Sequence, residues 1–271
     1  MMRGMRNDDI SIPTHQAVDR ALQVISYLGN RAAGATLQEI STATGVPKPS
    51  LYRTLSVMRD RGFASQLEAR GVYLLGPAAL EAAFRFHADL DLRRLLQPLM
   101  REIRDISGQT VHLATLHGGE VVYIDKLESS IGVRLTSVVG GRNPAHATGV
   151  GKALLAAELT NDDAVSAWVA QHGPLATRTA NTITTAAALA ADLEGVRRRG
   201  FAIDDEESEP GLVCVAATVP LVFGRLIPTV GLSMTGLKER MLDNGLEQLG
   251  TSLVTLIRNF EYGAHATDSA Q

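Results

Sequence analysis

Residues 143–156 read NPAHATGVGKALLA, a loop running into a glycine-rich helix start at Thr148, Gly149, Val150 and Gly151. Backbone N–H groups at such a start have no intrahelical partner, and glycine lets a small anion come close to them. A carboxylate suits that chemistry. The segment is not a phosphate loop, because His146 stands where its first glycine is required and Ala153 where Ser or Thr must meet magnesium. The competing role for these glycines is close helix packing. A second stretch, residues 200–219, GFAIDDEESEPGLVCVAATV, places four acids after one strand-like run and the single cysteine, Cys214, in the next. Asp204 is the most interior of the acids, whereas Asp205, Glu206 and Glu207 read as a solvated charge run. Cys214 lies between Val213 and Val215, the setting of a small buried apolar group. Ser233 and Thr235 flank Met234 and share one strand face through the two-residue period. They either hold a polar ligand or satisfy neighbouring backbone groups.

A third set of polar residues lies near the start of the chain. Leu51, Leu55 and Met58 recur at i, i+4 and i+7, which turns Lys48, Ser50, Tyr52, Arg53 and Arg59 to the opposite side of one helix. Those side chains can donate to phosphate oxygens and reach base edges in a major groove. Before them, Leu37, Ile40 and Ala43 mark a short helix ending at Gly45, and after them two apolar stretches enclose residues 68–71, with Arg70 at the tip of a hairpin. Helix, turn, helix and basic hairpin outline a winged helix that contacts double-stranded DNA.

The motifs of common enzyme classes are missing: no GxSxG elbow, no HExxH, no Cys/His spacing for zinc and no GxGxxG opening a βαβ unit. The reading therefore assigns no catalytic residue, no metal and no cofactor. A metal site from His146, Asp204 and Cys214 is a weak alternative, since nothing in their spacing brings them together.

At 271 residues, 45% hydrophobic and 20% charged, the chain has room for two domains with adequate cores. The net charge of −3 hides an asymmetry: residues 1–76 carry 9 Lys and Arg against 6 Asp and Glu, and the remainder 17 against 23. A basic head on an acidic body suits a protein that touches DNA at one end. A single cysteine excludes an intrachain disulfide and is compatible with a reducing cytoplasm. No run of about 18 apolar residues appears, so no membrane span is expected. The two ends of the chain read as frayed termini.

Hydrophobic spacing predicts a first helix over 15–28, a linker helix over 78–88, and a helix over 92–106 that contains Pro98 and must kink or start late. Strands are expected over 110–116, 120–126 and 133–138 as an antiparallel meander, then over 201–204, 212–219 and 229–234. Helices are expected over 149–158, over 161–171 with Thr160 and Asp163 as a capping box, over 185–199 and over 246–260. This order, without regular βαβ alternation, is that of an α+β domain with helices beside one mostly antiparallel sheet.

Three blocks together, VPKPSLYRTL, PAHATGVGKALLA and GFAIDDEESEPGLVCVAATV with the following LSMTG, make the chain from about residue 15 to 262 similar to the IclR family of bacterial transcriptional regulators. The resemblance implies a winged helix-turn-helix domain over 14–76, a linker helix over 77–90 and a GAF-like effector-binding domain over 91–262. It further implies a cytoplasmic homodimer, commonly a dimer of dimers, that binds operator DNA and a small organic acid. DNA-binding positions are Lys48, Ser50, Tyr52, Arg53 and Arg70. The effector pocket of such proteins corresponds to Leu135, Gly149, Val150, Asp204, Leu212, Cys214, Ser233 and Thr235. Pro49 and Thr54 depart from residues that are often Ser and Leu in relatives, so operator sequence does not carry over. An aromatic content of 4% favours a small aliphatic acid over an aromatic one. Two rival readings remain: a small-molecule hydrolase or isomerase with a vestigial head and Asp204 and Cys214 as its working pair, and an architectural DNA-binding protein without effector.

Overall fold

The computed structural model describes residues 16–67, 71–82, 92–130, 132, 135–220 and 229–260. They fall into two compact units that divide after residue 90.

In the first unit, α1 (Gln16–Gly29), α2 (Leu37–Thr44) and α3 (Lys48–Asp60) enclose a small core of Val24, Leu28, Ile40, Leu51, Leu55 and Met58. α2 opens on a reciprocal cap: the Glu39 amide donates to the Thr36 hydroxyl, and the Thr36 amide to the Glu39 carboxylate at 2.7 Å. It closes on Gly45 in the left-handed region, φ 69°, which frees the chain to turn into α3. Pro47 is the residue before α3, and Pro49 occupies its first turn, where a missing N–H costs nothing. β2 (Ala64–Leu67) and β3 (Val72–Leu75) form the hairpin, and the two-residue β1 (Ala35–Thr36) adds a third strand that spacing alone does not reveal. The expected tip residue Arg70 lies outside the described residues. Of the expected linker helix, residues 77–82 are helical and the rest is likewise outside.

The second unit is a six-stranded sheet in the order β6-β5-β4-β9-β8-β7, every neighbouring pair antiparallel. Its strands are β4 (Thr110–His117), β5 (Glu120–Leu127), β6 (Arg142–Pro144), β7 (Ala202–Asp205), β8 (Leu212–Val219) and β9 (Val230–Leu237). Helices cover both faces of this sheet. α4 (Leu92–Ser107), α8 (Lys238–Asp243) and α9 (Leu246–Asn259) pack on Val111, Leu113, Val213, Val215, Leu232 and Met234. α5 (Gly149–Glu158), α6 (Asp162–His172) and α7 (Ala186–Arg199) pack on Ala114, Val121, Ala202, Cys214 and Ala216. The strand alternation that sends odd and even residues to opposite faces feeds both layers. The fold is α+β with an antiparallel sheet.

Several local expectations are corrected. Residues 135–138 are not a strand; the carbonyls of Leu135 and Ser137 accept hydrogen bonds from the Lys126 ammonium at 2.9 and 2.8 Å instead of from a neighbouring strand. β6 completes the meander, an edge strand in which Pro144 needs no donor. α4 runs through Pro98 from Leu92, so the helix does not start late. The cap of α6 is Asn161, whose side chain accepts from the Ala164 amide at 2.8 Å, not Thr160.

Candidate functional site

Strand register assembles the site. Asp204 of β7 pairs with Cys214 of β8, Cys214 with Thr235 of β9, and Thr235 with Thr110 of β4. One step along, Ala216, Ser233, His112 and Lys126 form a second row across β8, β9, β4 and β5. The two-residue period puts both rows on the face that carries α5. Above them lies a cavity of about 220 Å³. Val150 and Thr148 at the start of α5 close one side, and Leu135 to Val138, held by Lys126, close another.

Of the eight residues anticipated for an effector pocket, Leu135, Val150, Asp204, Leu212, Cys214, Ser233 and Thr235 line this cavity. Gly149 does not; it is buried behind Cys214, whose sulfur would lie 2.8 Å from an added Cβ. Nor is the Gly151 amide free for the expected cradle. The Gly151 N–H is capped by the Thr148 hydroxyl at 3.2 Å, and Gly151 is pressed on the Ala145 backbone. These glycines serve close packing.

His112, Tyr123, Asn143 and Arg178 also line the cavity and were not singled out from sequence, because only the register and a loop crossing bring them there. Burial drives His112 down to about 3, with the nearby Lys126 charge adding to the effect, so its ring is neutral and bonds the Ser137 hydroxyl at 2.8 Å. The Asn143 amide donates to the Tyr123 hydroxyl at 3.1 Å, and burial pushes that phenol up to about 12. Cys214 is likewise pushed up to about 12 by burial and by the neighbouring Asp204, which keeps a neutral thiol. Asp204 accepts from the amides of Glu207 and Ser208 at 2.7 and 3.3 Å and from the Ser208 hydroxyl at 2.7 Å. Burial raises its pKa while those donors lower it, with a net upward shift.

The acidic run is not wholly solvated. Glu207 is buried and pairs with Lys152 of α5, itself without exposed surface, and Lys152 also lies 3.2 Å from Asp192 of α7. Burial lifts the Glu207 carboxyl to about 7 against the pull of Lys152. Asp205 and Glu206 are tied to Lys238 at 2.8 and 2.5 Å. His146 bonds the Ala176 carbonyl at 3.1 Å, and the described residues contain no cluster of three metal-ligating side chains.

On the head, Lys48, Tyr52 and Arg53 are exposed along α3 and Ser50 is half-buried, while Arg59 is engaged by Gln66 of β2.

A winged helix-turn-helix unit is followed in the chain by an α+β unit that carries a cavity with polar lining. Residues 85–259 match the model of the bacterial transcriptional regulator IclR C-terminal domain, and residues 17–68 that of the IclR helix-turn-helix domain. The HTH-type transcriptional regulator XynR of Escherichia coli is 32% identical over 93% of this chain and 100% of its own length. BhcR of Paracoccus denitrificans, another HTH-type transcriptional regulator, is 30% identical over 92% of this chain and 87% of its own. The crystal structure of an IclR-type regulator from Silicibacter aligns with a TM-score of 0.72 at 27% identity, covering 89% of this chain and 96% of that one. The chain belongs to the IclR family and is a bacterial DNA-binding transcriptional regulator. Among the described residues no helix is long and apolar enough to cross a membrane.

Proposed function

We propose that the cavity between the sheet and α5 binds a small carboxylate-type metabolite and that its occupancy changes operator binding by the winged helix. The observation carrying this reading is the cavity itself: about 220 Å³, walled by Asp204, Cys214, Ser233 and Thr235 in register and by a loop pinned through Lys126. Its size suits a metabolite of a few heavy atoms, below the roughly 300–1,000 Å³ of sites for drug-sized ligands. In this reading residues 14–76 bind DNA, 77–90 link, and 91–262 sense and assemble a cytoplasmic homodimer or dimer of dimers. A calorimetric screen of small organic acids tests it. We expect at least one acid to bind the intact protein, and Ser233→Ala with Thr235→Ala to weaken it by about tenfold, the value of two lost neutral hydrogen bonds at roughly 0.5–1.5 kcal/mol each. Undiminished affinity in that variant would remove the ligand from this cavity.

Lys48, Ser50, Tyr52 and Arg53 are the proposed DNA contacts on the exposed side of α3. Arg53→Ala should weaken operator binding and, if the contact is to phosphate, reduce the slope of log K against log salt by about 0.9. Unchanged affinity and slope in a gel-shift series would place Arg53 off the DNA.

An enzymatic role for Asp204 and Cys214 lacks chemical support. A thiol held near 12 offers no thiolate at neutral pH, and Asp204 is occupied in holding the turn at 207–208.

A further inference from the structure

The charges around the cavity are unevenly placed. Its inner wall presents neutral groups: the Ser233 and Thr235 hydroxyls, the Cys214 thiol, the Tyr123 and Asn143 pair, and the neutral His112 ring on Ser137. Among the described residues the acidic group of this inner wall is Asp204, already holding three donors from residues 207 and 208. A ligand carboxylate set beside it would bring two anions together where solvent screens them poorly. Among the described residues, the other charged groups lining the cavity are Arg142, Arg178 and Glu209, all exposed. Arg142 is paired with Glu120 at 3.1 Å. Among the described residues Arg178 meets no carboxylate, and its side chain makes one long bond, Nε to the Ser208 carbonyl at 3.5 Å, leaving the terminal nitrogens without a partner there. The planar guanidinium, with two parallel donors to offer, is suited to a carboxylate.

Resting on the reading of this cavity as a metabolite site, we infer that it selects a hydroxy acid bound with its hydroxyl inward, toward Asp204, Ser233 and Thr235, and its carboxylate outward on Arg178. Glu209, on the same wall, opposes the carboxylate and limits affinity. Arg178 thus sets both the charge requirement and the direction of entry, and the neutral interior accepts the other end.

The test uses the full chain and isothermal titration of glycolate, lactate, 4-hydroxybutyrate and 4-hydroxybenzoate, each beside its primary amide. The expected result is that an acid binds more tightly than its amide and that Arg178→Gln weakens the acid about tenfold while leaving the amide unchanged. Glu209→Gln should tighten the acid severalfold, an opposite sign that a purely structural role would not give. Equal loss for acid and amide in Arg178→Gln, or an acid bound as tightly by Arg178→Gln as by the natural protein, overturns the assigned orientation and leaves the metabolite site standing. If the natural protein binds none of these acids or amides while the wider screen finds an acid without a hydroxyl that binds, the inference falls and the metabolite site stands; if no acid of either set binds, both fall.

Discussion

Replacing Lys152 by methionine is expected to lower the free energy of unfolding by about 3–5 kcal/mol, the cost of breaking a buried ion pair from one side. The ammonium has no exposed surface and faces two carboxylates, Glu207 and Asp192, from different elements. Its removal leaves Glu207 buried among acids, because Asp204 and Asp192 both act to raise that carboxyl. Uptake of a proton by Glu207 caps the loss without abolishing it, so Lys152→Met combined with Glu207→Gln should recover part of the stability. The damage reaches the cavity, since the Glu207 amide is one of the donors that hold Asp204. Urea unfolding at neutral pH measures both variants. A Lys152→Met protein as stable as the natural one would show that the pair contributes nothing.

The second large effect runs against helix propensity. Gly→Ala inside a helix ordinarily stabilises by roughly 0.5–1 kcal/mol. At Gly151 the new methyl would lie 2.5 Å from the Ala145 Cα and 2.6 Å from the Thr148 hydroxyl that caps α5. The Ala145 backbone cannot retreat as a flexible side chain could, and its amide is held by the Gly119 carbonyl at 3.0 Å. Gly151→Ala should therefore destabilise by about 1–3 kcal/mol, the usual cost of overpacking. A thermal midpoint at or above that of the natural protein would contradict the close approach of α5 to residues 145–148.

Gly151 and Lys152 mark the boundary between what neighbouring residues encode and what distant contacts decide. The glycine pair at 149 and 151 announced a special helix start, and the bounds of α5 follow directly from the sequence pattern. Whether the glycines admit an anion or a neighbouring backbone depends on residues 145–148 folding back on the helix, which spacing does not encode. Lys152 shows the same limit: its partners lie 40 and 55 positions away, and four consecutive acids look solvated until a buried cation is found for one. Asp204, Cys214, Ser233 and Thr235 were legible as polar or reactive groups on strands, and resemblance to a known family grouped them. The register that aligns them with His112 arises from pairing between distant strands. The head was the most legible part, because its signals are local: the cap at Gly45, the proline before α3 and the apolar period of Leu51, Leu55 and Met58. Residues 135–138 misled for a physical reason, since an apolar alternation satisfied by one lysine looks the same as one satisfied by a strand.

Regulation through the cavity requires that its occupancy be coupled to DNA binding by the head. A tenfold change in operator affinity requires the ligand to favour one arrangement of the protein over another by about 1.4 kcal/mol, within the reach of one or two charge-assisted hydrogen bonds. The most direct test is fluorescence anisotropy on a DNA fragment selected by the purified protein from a random pool, with and without a saturating acid shown by calorimetry to occupy the cavity. The account predicts a shift in the DNA dissociation constant of about tenfold or more, in either direction. An operator affinity unmoved by a fully occupied cavity would contradict it.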